Sequence, residues 1–135
     1  MAIQFSVAVR NAILDAIETT IGAGAILKIR TGAAPANPAA VDSGTVLSTL
    51  TLPSDWLAAA SGGVKSKSGT WEDLSADAAG TAAHFRIYAS NGSTCHYQGT
   101  VTAISGGGDM TLDNVAIALT QQITVTAFSI TAPNA

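Results

Sequence analysis

From Ala25 onward the chain is a succession of short segments rich in Thr, Val and Ile, each closed by Gly, Asn, Asp or Pro. The segments are Ala25–Thr31, Thr45–Leu52, Gly63–Trp71, Ala82–Ala89, Cys95–Thr102 and Gln122–Thr131. β-Branched and aromatic residues suit a pleated, half-buried surface, and the punctuating residues are those of turns. Weaker strands at Met110–Leu112 and Val115–Ala118 bring the number to seven or eight, which is what a two-sheet sandwich or jelly roll needs. A chain of 135 residues with no internal repeat or dividing linker builds one core, so residues 1–135 read as a single domain with β structure over 25–131. The expected class is mainly β, a two-sheet β-sandwich or jelly-roll-like domain with one N-terminal α-helix.

That helix is expected over residues 6–21. Val9, Ile13, Leu14, Ile17 and Ile21 recur at spacings of three and four, placing them on one side with Asn11, Asp15, Glu18 and Thr19 opposite. Ser6 can cap its start and Gly22 can end it. Arg10 falls inside the apolar stripe, where it either snorkels outward or pairs at a subunit contact. The start of the chain lacks a basic region before its apolar residues, so it does not read as a signal peptide, and no run approaches the roughly 18 apolar residues of a membrane span.

Gly32–Gly44 is long, rich in Ala and interrupted by Pro35 and Pro38, which favour an extended, backbone-solvated path. It reads as a protruding arm able to lie along a neighbouring subunit, with Pro35, Asn37 and Pro38 as contact residues beside Arg10. Leu52–Ala60 reads as one helical turn, capped at Ser54, that drives Trp56 into the core.

The segment containing both histidines is a hairpin. A two-residue turn at Asn91–Gly92 would mix apolar and polar residues on one face, whereas an odd-length loop aligns Phe85, Ile87 and Ala89 with Gly99, Tyr97 and Cys95. The second register leaves His84, Arg86, Tyr88, His96 and Gln98 on an outward face, a candidate surface for binding, including binding of a glycan. Cys95 is then a small buried hydrophobe, and the expected core holds Val9, Ile13, Ile17, Ile29, Leu50, Trp71, Phe85, Ile87, Tyr97, Val101 and Val125.

Little in the sequence points to chemistry. His84 and His96 lie near opposite ends of the hairpin, roughly 13 Å apart, too far to share a metal ion. No Gly-x-Ser-x-Gly elbow surrounds a serine, and Gly22-Ala-Gly24 precedes a strand instead of opening a helix, unlike a dinucleotide site. Gly106–Asn114 brings Asp109, Asp113 and Asn114 together but lacks the length and terminal glutamate of an EF-hand loop. One cysteine excludes an internal disulfide. A non-enzyme without cofactor or metal is expected. Six Lys and Arg against nine Asp and Glu give a net charge of −3, no footprint for a phosphate backbone, so nucleic acid and membrane are not expected partners.

Asn11–Glu18, Leu27–Gly32, Gly69–Trp71, His84–Ala89, Gln98–Val101 and Gly107–Asn114 together resemble a family of small proteins from tailed-phage and prophage structural gene clusters. The resemblance covers nearly the whole chain and supplies no catalytic residues. It implies a β-rich virion protein, assembled in the host cytoplasm, of the head-decoration or cement type. The implied partners are the major capsid protein lattice and further copies of the chain, as a trimer at local three-fold positions. A tail or tail-tip component and a carbohydrate-binding adhesion module are the alternatives.

Overall fold

A computed structural model describes residues 2–134 and shows a mainly β fold with one helix. Helix α1 spans Val7–Ile21; Ser6 Oγ accepts from the Val9 N–H at its start, and Gly22, at φ 88°, closes it with its N–H donating to the Glu18 carbonyl. The strands are β1 (Ile26–Arg30), β2 (Val46–Thr51), β3 (Val64–Ser66), β4 (Glu72–Asp73), β5 (Gly80–Thr81), β6 (His84–Tyr88), β7 (Cys95–Ala103), β8 (Met110–Leu112), β9 (Ala116–Ile117), β10 (Ile123–Thr124) and β11 (Ser129–Thr131). Five form one sheet in the order β2-β1-β6-β7-β8, antiparallel except for the parallel β7–β8 pair. The others form two-stranded ribbons, β4 with β10, β3 with β11 and β5 with β9.

Two expected strands are broken. Gly63–Trp71 keeps a strand only at β3, followed by a single bridge from Lys67 to Leu57, because Gly69 turns with φ 67° against Pro53 and sends Trp71 inward. Gln122–Thr131 divides into β10 and β11, which pair with different ribbons, and the crossing residues Val125 and Phe128 are buried between them. Trp56 is fully buried as expected, but through bends and not a helical turn, with its Nε1–H donating to the Gly22 carbonyl.

The core gathers Leu27, Ile29, Phe85, Ile87 and Val101 from one face of the large sheet with Trp56, Trp71, Val125 and Phe128. Phe128 stands edge-on to both Phe85 and Tyr97, at centroid distances of 5.7 and 6.4 Å.

The helix docks differently from its sequence pattern. Arg10, Leu14 and Ile21 are its buried residues, Ile17 is half-buried, and Val9 and Ile13 remain 44% and 43% exposed. The polar side draws it in. Asn11 Oδ1, Asp15 Oδ1 and Glu18 Oε1 accept from the backbone N–H groups of Gly63, Ala60 and Leu57, and the buried Lys65 ammonium donates to Asp15 at 2.7 Å. A buried N–H without a partner costs about 1–3 kcal/mol, so satisfying this irregular stretch outweighs burying two more aliphatic side chains. Arg10 is also internal: its Nε and Nη2 donate to the Ala132 carbonyl at 3.2 and 2.8 Å, pinning the helix to the C-terminal segment.

Candidate functional site

Strand alternation sends Phe85 and Ile87 to the core and His84, Arg86 and Tyr88 to the opposite face of β6. That opposite face is not outward. All three residues are at most 1% exposed, because residues 32–44 fold back across β6 and β7 and cover them. The expected arm and the expected binding face are therefore the two halves of one internal contact.

The contact is made chiefly by side chains of the sheet reaching main-chain carbonyls of the arm. Arg86 Nη1 donates to the Ala40 carbonyl at 3.1 Å and Nη2 to that of Pro38, while Gln98 Nε2 donates to Pro35 at 2.6 Å. His84 Nδ1 lies 2.8 Å from the Gly32 carbonyl, an atom that only accepts, which places a proton on Nδ1. Arg30 Nη1 reaches the carbonyls of Ser43 and Gly44 at 3.3 Å. An extended segment with two prolines has few internal bonds, so its free carbonyls are acceptors for such donors.

Asp42 is the charged centre of this arrangement. Its Oδ2 accepts from Arg30 Nη2 at 2.6 Å, and its Oδ1 accepts from Tyr88 Oη at 2.7 Å and lies 2.8 Å from Arg86 Nη1. One carboxylate thus faces two buried guanidiniums. Burial, reinforced by the hydrogen bond to Asp42, pushes the Tyr88 phenol up to about 12, so it stays a donor. The Lys28 ammonium sits 4.7 Å above the Tyr88 ring. Arg30 Nε, His84 Nε2 and Gln98 Oε1 are buried without a hydrogen-bond partner among the described residues.

The arm is also ordered by its own residues. Asn37 Oδ1 accepts from the N–H groups of Ala39 and Ala40, and Ser43 Oγ donates to the Ala33 carbonyl. Gly44 has φ 70°, and a Cβ there would lie 1.9 Å from the Thr31 carbonyl oxygen, so only glycine fits this hinge. Pro35 and Pro38 use their carbonyls inward, and Ala36, Asn37, Ala39 and Val41 form the exposed crest. A cavity of about 540 Å³ opens beside it, between Pro38–Asp42, Arg86 and Ser93–Cys95.

The hairpin register matches the odd-loop expectation from His84↔Thr100 to Ile87↔Tyr97. A bulge then pairs Tyr88 with Cys95, displacing His96. Cys95 consequently lies on the arm side, half-buried, where its Sγ accepts from Arg86 Nε at 3.1 Å, and not among the apolar residues. His96 is exposed at a groove bordered by α1. Tyr88 and His84 are thus covered instead of facing outward as expected.

Elsewhere, Asp109 accepts from the N–H and hydroxyl of Thr100, bonds that hold its carboxyl below the usual range. No group of three or more His, Cys, Asp or Glu side chains among the described residues is placed to hold a metal ion. No described helix is long and apolar enough to cross a membrane. Sequence reasoning missed Asp42 and the partnership of Cys95 with Arg86; the one signal available was an acidic residue in an otherwise uncharged arm. Comparison with known proteins finds no matching family model, curated protein or solved structure.

Proposed function

We propose that the chain is a phage virion structural protein of the head-decoration type, which binds the major capsid protein lattice and stabilises the assembled shell. The observation that carries this reading is the arm, a prefolded and uncharged crest of Ala36, Asn37, Ala39 and Val41 fixed from beneath by Arg30, Arg86, Tyr88 and Gln98. A segment already held in one shape loses little conformational entropy on binding. Repetition over many copies then allows weak individual contacts to hold. The resemblance to tailed-phage structural proteins points the same way. We take the fold as a β-sandwich of jelly-roll type, with the five-stranded sheet as one layer and the ribbons as the other, joined through Phe128 on Phe85 and Tyr97.

The test adds purified protein to shells that lack it and follows DNA release on heating. The intact chain should bind and raise the release temperature, because a ligand of the intact shell alone stabilises it. Deleting 33–41 should abolish both effects. Intact protein that ignores shells but co-sediments with tails would move it to a tail role.

A further inference from the structure

A cleft of about 290 Å³ opens between the turn at Leu112–Asn114 and the segment Gln121–Thr126, and it shares no residue with the arm or its anchors. Its lining combines the buried Leu112 and Ile123 with four planar polar side chains, those of Asp113, Asn114, Gln121 and Gln122. Each of the four is oriented by the chain itself. Asp113 Oδ1 accepts from the Asn114 N–H at 2.8 Å, Asn114 Oδ1 from that of Ala116 at 2.9 Å and Gln121 Oε1 from that of Ala118 at 2.9 Å. Gln122 instead donates, from Nε2 to Glu72 Oε2 at 3.2 Å.

A backbone N–H takes only an acceptor, so these bonds decide which end of each amide is occupied. Asn114 and Gln121 keep their NH2 groups, Gln122 its carbonyl oxygen and Asp113 its second carboxylate oxygen, and none of these bonds another described residue. The turn that presents Gln121 is also strained. Thr120 has φ 65°, a left-handed conformation that a β-branched residue rarely adopts. It is held there by its N–H on the Ala76 carbonyl, by the Ala76 N–H on the Gln121 carbonyl and by the Gln121 side chain on Ala118. Backbone strain of this kind clusters at ligand-binding positions.

We infer that this cleft binds one unit of a neutral saccharide. Two fixed donors and two fixed acceptors line it, and a sugar hydroxyl both donates and accepts, so a ring bearing several can meet all four. Charge narrows the class. The lining holds one carboxylate and no cation among the described residues, so an anion meets like charge, while an ammonium accepts nothing from the two NH2 groups. A metal ion would need the amide oxygens that the backbone already occupies. Leu112 and Ile123 supply an apolar floor for the C–H face of a ring, and the volume, at the low end for small-molecule sites, suits a single ring. No aromatic side chain lines the cleft among the described residues, so one site binds weakly, on the order of millimolar, and repetition over many copies supplies the rest.

Nuclear magnetic resonance on the isotopically labelled free protein tests the site. The probes are the methyl glycosides of glucose, galactose, mannose and N-acetylglucosamine, each raised to about 50 mM. At least one should shift the side-chain NH2 resonances of Asn114 and Gln121 saturably. Asn114→Asp and Gln121→Glu keep the oxygen that accepts from the backbone and turn the free donor into an acceptor. Each should weaken binding by more than about tenfold and leave the thermal midpoint near the parent's. No saturable shift with any of the glycosides, undiminished binding by both variants, or shifts centred on other residues would overturn the inference. So would the same shifts with glycerol or with a blocked alanine tripeptide at equal concentration. The measurement needs no shells, so failure of this site leaves shell binding standing, and failure of shell binding leaves the site.

Discussion

Asp42 sits on the arm, 12 residues in sequence from Arg30 and 46 from Tyr88, and neutralises groups that have no other acid beside them in the contact. Asp42→Asn removes the charge and keeps the size. Breaking a buried ion pair costs about 3–5 kcal/mol, but the Asp42 side chain is 37% exposed, so a loss of about 1–3 kcal/mol in urea unfolding is expected. The arm should also become the first site of protease cleavage. A second prediction concerns the phenols. Burial raises Tyr88 to about 12 and also raises Tyr97, so neither of the chain's two tyrosines titrates at its ordinary value. A group whose folded value is raised contributes stability that is fully present below its unfolded value, near pH 10. That stability is lost as pH climbs towards about 12. Absorbance at 295 nm should show less tyrosinate at pH 10 in the folded protein than in the unfolded chain, and Tyr88→Phe should flatten the fall in stability above it. The alternation of β6 was legible in the sequence, and it placed His84, Arg86 and Tyr88 correctly on one face. What covers a face depends on residues far away in the chain, and no local period encodes that.

At the scale of elements, α1 separates what periodicity can tell from what it cannot. The spacing of Val9, Ile13, Ile17 and Ile21 marks a helix, and Ser6 and Gly22 mark its ends. The same spacing misplaces the buried side, because the helix satisfies the N–H groups of residues 57–63, which form no ladder of their own with it. Glu18→Ala should therefore cost about 1–2 kcal/mol, leaving the Leu57 N–H without its acceptor. Val9→Ala, on the exposed side, should stay within about 0.5 kcal/mol. The reverse ranking in denaturation curves would restore the apolar-stripe orientation. In the β6–β7 hairpin the register was readable from matching apolar residues, and Phe85→Ala should cost roughly 3–5 kcal/mol as a large-to-small change in the core. The bulge at His96 was not readable, since one extra residue leaves the composition of the strand unchanged while it displaces His96 and moves Cys95 to the other face.

At the scale of the whole molecule, the mainly β class and the single helix follow from punctuation and period, while the ribbons do not. Two-residue strands such as β4, β5 and β9 carry too few residues to show alternation, and their partners lie far along the chain. The five-stranded sheet joins neighbours distant in sequence, since β1 pairs with β6 across four intervening strands. This order has a consequence for how the molecule comes into being on the ribosome. The anchors of the arm on β6 and β7, from His84 to Gln98, are synthesised after the arm itself, and Tyr88 follows Asp42 by 46 residues. At about 5–20 residues per second, the arm emerges several seconds before they do, and contacts of such long range form late. Nascent chains stalled before β6 should be cut within 32–44 by a protease that spares the finished protein. Until the hairpin arrives, the segment that ends as a fixed crest is a free loop with open carbonyls, and its shape is imposed retrospectively by the half of the chain that is made last.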